Sequence, residues 1–167
     1  MTDVVERFRL AGRVALVTGG ARGLGNVMAR ALASAGARVA ITSRDRAAAT
    51  AAAAELGGGA VGLGVDVRDA SAVTGMIAET VGALGGLHIL VNNAGTTRRG
   101  PFDGLAEDDW DVVVDTNLKG TWLACRAARP ALREASGGRI INVASMFSQV
   151  GHVNRCLLYT SPSPRDS

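Results

Sequence analysis

Val14-Ala15-Leu16-Val17-Thr18-Gly19-Gly20-Ala21-Arg22-Gly23-Leu24-Gly25 is the stretch whose reading decides the fold. Four apolar residues run straight into a glycine turn. The turn opens onto a helical pattern in which Leu24, Val27, Met28, Ala31, Leu32 and Ala35 recur on one face. Strand, turn and helix N-terminus together make an anion site. The first-turn N–H groups have no intrahelical partners, and the helix dipole places partial positive charge there. Each glycine has its own reason: Gly19 permits the tight exit from the strand, Gly23 lets backbone approach a pyrophosphate, and Gly25 brings helix and strand close. A glycine-rich loop without a ligand is the plain alternative, and the surrounding sequence weighs against it.

Outward from this stretch, strand and helix patterns alternate. Arg38 to Thr42 reads as a second strand, followed by an alanine-rich helix from Arg46 to Leu56 that stops at Gly57-Gly58-Gly59. Ala60 to Val67 reads as a third strand whose glycines imply close contacts across it. Val73, Met76, Ile77, Thr80, Val81 and Leu84 repeat the helical spacing, which ends at Gly85-Gly86. Leu87 to Val91 is a fourth strand, with His88 a strand-end residue rather than a ligand or base. A long helical segment follows from Glu107 to about Arg133, its acidic start suited to the positive helix end and Pro130 expected to kink or end it. Arg139 to Val143 is a fifth strand. Such alternation means βαβ units, and right-handed crossovers make the sheet parallel. The expected fold is α/β with a parallel sheet. Ligands of such sheets bind at the carboxyl ends of the strands. Ser43-Arg44, Asp66-Val67 and Asn92-Asn93-Ala94-Gly95 all fall there.

Composition narrows the function. The chain is long enough for one domain with a real core. Only 4% of its residues are aromatic against 22 glycines, which suits helices packed closely on a sheet. A net charge of +3 with scattered basic residues gives nucleic-acid binding little support. Cys125 and Cys156 form neither a disulfide framework nor a metal spacing, as in a reducing compartment. No stretch is apolar enough to span a bilayer, and Met1 to Arg9 lacks a signal-peptide core. A soluble cytoplasmic protein, with no membrane or nucleic-acid partner, is expected. Ser145 lies at the end of the fifth strand, but no His/Asp set or Gly-x-Ser-x-Gly elbow accompanies it, which disfavours a serine hydrolase. Asn117, a polar amide inside a helical pattern, is as readily a structural amide bonded to backbone as a catalytic group.

Four segments taken in order, Thr18 to Gly25, Asn92 to Gly95, Asn117 followed by Gly120, and Ile141 to Ser145, resemble the short-chain dehydrogenase/reductase family from about Leu10 to Asn154. The resemblance implies a Rossmann-type doubly wound α/β sheet of order 3-2-1-4-5, truncated after the fifth strand, that binds a nicotinamide dinucleotide and exchanges hydride between it and a small carbonyl or alcohol substrate. It implies that Asn93, Ala94 and Gly95 support the cofactor and the central strand. Ser145 would hydrogen-bond the substrate oxygen, and Asn117 would hold a proton-relay water.

The family also places a Tyr on the order of a dozen residues after the Ser, and a Lys one helical turn beyond it. Here the only tyrosine is Tyr159, and four residues on stands Ser163. Pro162 and Pro164 forbid the helix that would align those positions, and Lys119 is the only lysine. Residues 156–167 therefore read as a non-native tail resembling translated adapter sequence, behind an incomplete Rossmann domain at 1–155. Family members continue through further elements that supply much of the substrate pocket and commonly a homo-oligomer interface. The chain as written is expected to be inactive; a non-catalytic dinucleotide-binding module and a fragment that never folds are the alternatives. Without later strands, strand five would be an unpaired edge bearing Ile140, Ile141 and Val143, an aggregation liability.

Within that family, an acidic residue after the second strand would bind a ribose 2′-hydroxyl and repel a 2′-phosphate. Thr42-Ser43-Arg44 stands there, with Arg22 facing the same region, so NADP(H) is expected in preference to NAD(H). Thr96-Thr97-Arg98-Arg99, Asp108 to Asp111 and Ala144-Ser145-Met146 resemble the sugar-acid and polyol dehydrogenase branch, with Arg98 or Arg99 as a fork for a substrate carboxylate. A 3-oxoacyl-thioester reductase is the alternative within the family.

Overall fold

A computed structural model describes residue 6 and residues 8–145. Tyr159, Cys156 and the boundary expected at residue 155 lie outside the described residues. Five parallel strands, β1 (Val14–Val17), β2 (Arg38–Ser43), β3 (Val61–Gly64), β4 (Ile89–Asn92) and β5 (Arg139–Asn142), form one sheet in the order β3-β2-β1-β4-β5. The helices are α1 (Gly23–Ser34), α2 (Arg46–Leu56), α3 (Ala70–Leu84), α4 (Glu107–Val114) and α5 (Gly120–Glu134).

Strand β1 is buried along its whole length, yet its side chains still alternate between two cores. Val14 and Leu16 join Leu63, Met76, Leu90 and Leu123 on the α3/α5 face. Ala15 and Val17 join Ala29, Val39, Ile41, Ala53 and Val91 on the α1/α2 face. Both faces are thus covered, as a doubly wound sheet requires. Glycine in β3 and alanine in α2 bring these two elements into backbone contact: a methyl at Gly62 would be driven into the Ala49 carbonyl. The β3 glycines therefore do mark close packing, against α2.

Several local expectations are corrected. The buried face of α1 is Gly25, Met28, Ala29, Leu32 and Ala33, one residue out of phase with the expected face. Leu24 and Val27 are 70% and 63% exposed. The cause is Gly25, whose bare backbone sits against Gly19 and Asn93 and so fixes which side of the helix meets the sheet. Strand β3 ends at Gly64 rather than Val67, because the Asp66 carboxylate accepts the Arg68 N–H at 3.0 Å and turns the chain. Strand β4 begins at Ile89, after left-handed Gly85 ends α3. The segment after Glu107 is not one α-helix: residues Asp115–Lys119 make a π-helical turn between α4 and α5. Helix α5 runs through Pro130 to Glu134. Pro130 is exposed, as is Arg126, whose carbonyl loses its helical partner to the proline and can turn to water. Strand β5 is an edge of the described sheet, with Ile140, Ile141 and Val143 44%, 47% and 41% exposed.

His88 immediately precedes β4, and its Nδ1 accepts the Val14 N–H at 3.2 Å, so the neutral ring carries its proton on Nε2. Burial holds this imidazole below its ordinary value of 6.5, and Arg13 and Arg38 add to the lowering. A depressed folded-state pKa stabilises the protein fully above the unfolded value and loses that contribution as pH falls through the lower folded value. Thermal melts between about pH 7.5 and about pH 5 should therefore show a falling midpoint that flattens in His88→Gln. An identical pH slope in the variant would assign the loss to other groups.

Candidate active site

At the carboxyl ends of β1 to β4 lies a cleft of about 360 Å³. The turn after β1 forms its floor. Thr18 is buried below: its hydroxyl donates to the Val91 carbonyl at 3.3 Å and accepts the N–H groups of Asn93 and Ala94, both at 3.0 Å. Asn93 returns the contact, its amide donating to the carbonyls of Thr18 at 3.0 Å and Gly19 at 3.1 Å. The Gly19 N–H is held by the Thr42 hydroxyl at 3.3 Å, and the Gly20 N–H by the Thr42 carbonyl at 2.9 Å. Strand ends β1, β2 and β4 are thereby locked together by backbone and short polar side chains, leaving the turn preorganised.

Helix α1 points its N-terminus into this cleft with no side-chain cap and no acidic residue in its first turn. The contrast with its neighbours is direct. Asp45 caps α2 and Asp69 caps α3, while α4 carries Glu107, Asp108 and Asp109 in its first turn. Gly23, at φ +55°, has nothing within 4 Å of where a Cβ would stand, so its backbone is open to a ligand. Arg22, Gly23, Leu24 and Gly25 line the cleft on this side. An uncapped helix end with a glycine approach fits a diphosphate.

The second wall comes from β2 and β3. Ser43 ends β2 and Arg44 follows it, while Asp66 and Val67 follow β3 beside them; all four line the cleft. Asp45 is committed elsewhere, its side chain accepting the Ala48 N–H at 3.2 Å. Among the described residues neither Arg22 nor Arg44 enters an ion pair. Asp66 is gripped by Arg68, with Nε 3.1 Å from each carboxylate oxygen and Nη2 2.6 Å from Oδ2. Those bonds hold the Asp66 carboxyl below its ordinary range against the opposing effect of burial, and Arg44 adds to the lowering.

The third wall is Asn93-Ala94-Gly95 and the segment after it. Asn117 lies on the π-helical turn, where its Oδ1 accepts the Thr96 N–H and its Nδ2 donates to the Thr96 carbonyl, both at 2.9 Å. The side chain thus acts as a strand partner for one backbone residue and pins the segment leaving β4. The Asn117 carbonyl accepts the Thr121 hydroxyl at 2.9 Å. Gly120 follows against Val67, where a Cβ would stand 2.9 Å from Val67 Cγ2. Ser145 is exposed, three residues past the end of β5 at the same edge of the sheet. Arg98 lines the cleft but is paired with Asp109 at 3.0 Å. Arg99 forms no ion pair among the described residues.

Sequence reasoning left out Arg68 and the backbone task of Thr96, which it read only within the run Thr96 to Arg99. The first had a legible signal, an arginine two residues after a strand-end aspartate. The second had none, because its interest lies entirely in its backbone. Among the described residues no group of His, Cys, Asp or Glu could hold a metal ion, and no helix is long and apolar enough to cross a membrane.

Comparison with known proteins agrees with this geometry. A family model described as short chain dehydrogenase matches residues 13–161, and so reaches into the stretch 156–167. D-threitol dehydrogenase from Mycolicibacterium smegmatis is 43% identical over 155 residues, covering 89% of this chain and 60% of the relative. The 3-oxoacyl-[acyl-carrier-protein] reductase of Vibrio cholerae is 34% identical over 148 residues, covering 89% of this chain and 61% of the relative. A crystal structure described as a short-chain alcohol dehydrogenase from Sinorhizobium meliloti superposes with a TM-score of 0.85 at 42% identity, covering 90% of this chain and 61% of that one. The chain spans about three-fifths of the length of these relatives.

Proposed function

Because the chain belongs to the short-chain dehydrogenase family, we propose that it derives from an oxidoreductase that exchanges hydride between NADP(H) and a small hydroxy or carbonyl compound. When bound, the nicotinamide supplies or accepts the hydride. The observation that carries the cofactor reading is the pair Arg22 and Arg44, in no ion pair among the described residues, at the cleft beside an uncapped helix end. No acidic residue closes β2: Thr42 is buried, Ser43 is half-buried, and Arg44 is exposed. Two guanidiniums and a hydroxyl suit a phosphate dianion through charge-assisted bonds. The helix end and the Gly23 backbone receive the diphosphate. Asn93 and Thr18 hold this floor rigid by joining the turn to β4.

For the substrate we favour a small polyol or sugar acid. The sequence similarity to D-threitol dehydrogenase supports this over an acyl thioester, although the 3-oxoacyl reductase keeps the alternative in view. With Arg98 engaged by Asp109, Arg99 is the better fork for a carboxylate. Ser145 is assigned the substrate oxygen as hydrogen-bond donor. Asn117 is assigned two tasks: fixing the Thr96 segment, and holding a relay water on the proton path. The chain as written is proposed to bind the dinucleotide without turning substrate over, and its parent to work as a cytoplasmic homo-oligomer.

Titration calorimetry with NADP+ and NAD+ tests the cofactor assignment. Losing a charge-assisted bond to the 2′-phosphate should weaken NADP+ binding about 10- to 100-fold in Arg44→Ala. NAD+ binding should barely change. Equal affinities in the parent chain, or an undiminished NADP+ preference in Arg44→Ala, would reject it.

A further inference from the structure

We infer that Arg68 is a specificity-positioning residue: by chelating Asp66 it keeps that carboxylate off Arg44, leaving the Arg44 charge available to a ligand phosphate. The inference rests on the proposed 2′-phosphate site and assigns a task to Arg68, which lines the same cleft.

The geometry is local and directional. Strands β2 and β3 run parallel with Ser43 opposite Gly64, and the Val65 N–H donates to the Ser43 carbonyl at 2.8 Å. Arg44 and Asp66 therefore leave neighbouring strand ends side by side, and both line the cleft. Arg44 already lowers the Asp66 pKa, so the two charges sense each other. Two carboxylates thus flank Arg44, Asp45 next to it in the chain and Asp66 at the neighbouring strand end, and each is engaged elsewhere. Asp45 caps α2. Asp66 is held by three side-chain bonds from Arg68 and by the Arg68 N–H. This second arrangement is a fork on a carboxylate, the geometry in which arginine is not replaceable by a single-point cation.

Without Arg68, Arg44 is the cation left acting on Asp66 from the neighbouring strand end. A pair formed there would have to be broken before Arg44 could serve a 2′-phosphate, and the carboxylate would repel that phosphate as well. Neither effect touches NAD(H), which lacks the group. Whatever Asp66 contributes to the adenosine portion is common to both dinucleotides and cancels in the ratio of their affinities. The ratio of NAD+ to NADP+ dissociation constants is therefore the readout, and a merely structural role for Arg68 would not move it.

The test uses the full chain with Arg68→Met, Arg68→Gln, Asp66→Asn/Arg68→Met and Arg44→Ala, each checked by circular dichroism and titrated with NADP+ and NAD+. At about 50 mM salt, either Arg68 variant should lower the ratio about threefold, as expected for a partly exposed charge pair, and the difference should shrink as salt is raised. The double variant should restore the parent ratio, since the amide no longer competes for Arg44. If Arg44→Ala lowers the ratio and the Arg68 variants do not, the inference is overturned while the phosphate site stands. A lowered ratio that the double variant fails to restore also overturns it, because the effect would not pass through Asp66. If Arg44→Ala leaves the ratio unchanged, the phosphate site itself is wrong and the inference falls with it.

Discussion

Replacing the sequence after Arg155 with the matching continuation of D-threitol dehydrogenase should raise turnover about 10²- to 10⁴-fold over the chain as written, the range that a positioned general acid–base supplies. The family resemblance requires a tyrosine to move the proton at the substrate oxygen and a lysine one helical turn on to lower the phenol pKa. Tyr159 is the only tyrosine, and Ser163 stands where the lysine is needed. Lys119, the only lysine, sits on the π-helical turn, where its ammonium pairs with Asp115 at 3.2 Å. In the proposed role Ser145 would hydrogen-bond the substrate oxygen, but an aliphatic hydroxyl is too weak an acid to replace the tyrosine as proton donor. Tyr159→Phe in the unaltered chain should therefore change nothing measurable. Steady-state assay of both chains with D-threitol, a sugar acid and a 3-oxoacyl thioester reads the outcome and the substrate class together. Comparable rates in the two chains, with loss of activity in Tyr159→Phe, would show that the tail carries the catalytic acid. A preference of the repaired chain for the thioester would overturn the polyol reading.

Gly25→Ala should abolish measurable dinucleotide binding and destabilise the domain by about 1–3 kcal/mol, the usual cost of overpacking. A methyl there would enter the Gly19 carbonyl and the Asn93 side-chain amide. Neither neighbour can give way. The Gly19 carbonyl accepts from Asn93 at 3.1 Å, and the same amide is tied to the Thr18 carbonyl at 3.0 Å. The N-terminus of α1 must then lift from the turn, and the N–H groups meant for the diphosphate move with it. Gly75→Ala is the control. Gly75 lies within α3, exposed and with nothing within 4 Å of its Cβ position. Removing a helix-interior glycine there should stabilise the protein by about 0.5–1 kcal/mol and leave binding alone. Chemical denaturation and calorimetry on the two variants read both effects. Wild-type affinity in Gly25→Ala would mean that the close approach of α1 to β1 is not what builds the anion site.

The sequence by itself determined the α/β class and the parallel sense of the strands. Those features follow from local patterns: apolar runs ended by glycine, helical spacings between them, and the handedness that makes βαβ units parallel. Thr18, the glycine turn and Asn93 could be read as one site because parallel strands bring their carboxyl ends together whatever the side chains do. Tertiary structure alone decided the phase of α1, the π-helical turn and the Asp66–Arg68 grip. Hydrophobic spacing placed Leu24 and Val27 inward, but backbone contact at Gly25 turned them out, and a periodicity count cannot register an atom that glycine lacks. The task of the Asn117 side-chain amide was not legible either: the fold brings Thr96 opposite it and makes both ends of that amide partners of the Thr96 backbone. The pairing of Asp66 with Arg68 needed the chain to turn after Gly64, a turn made by the carboxylate itself. In each case the deciding partner was a backbone group or a short-range geometry that sequence spacing does not encode.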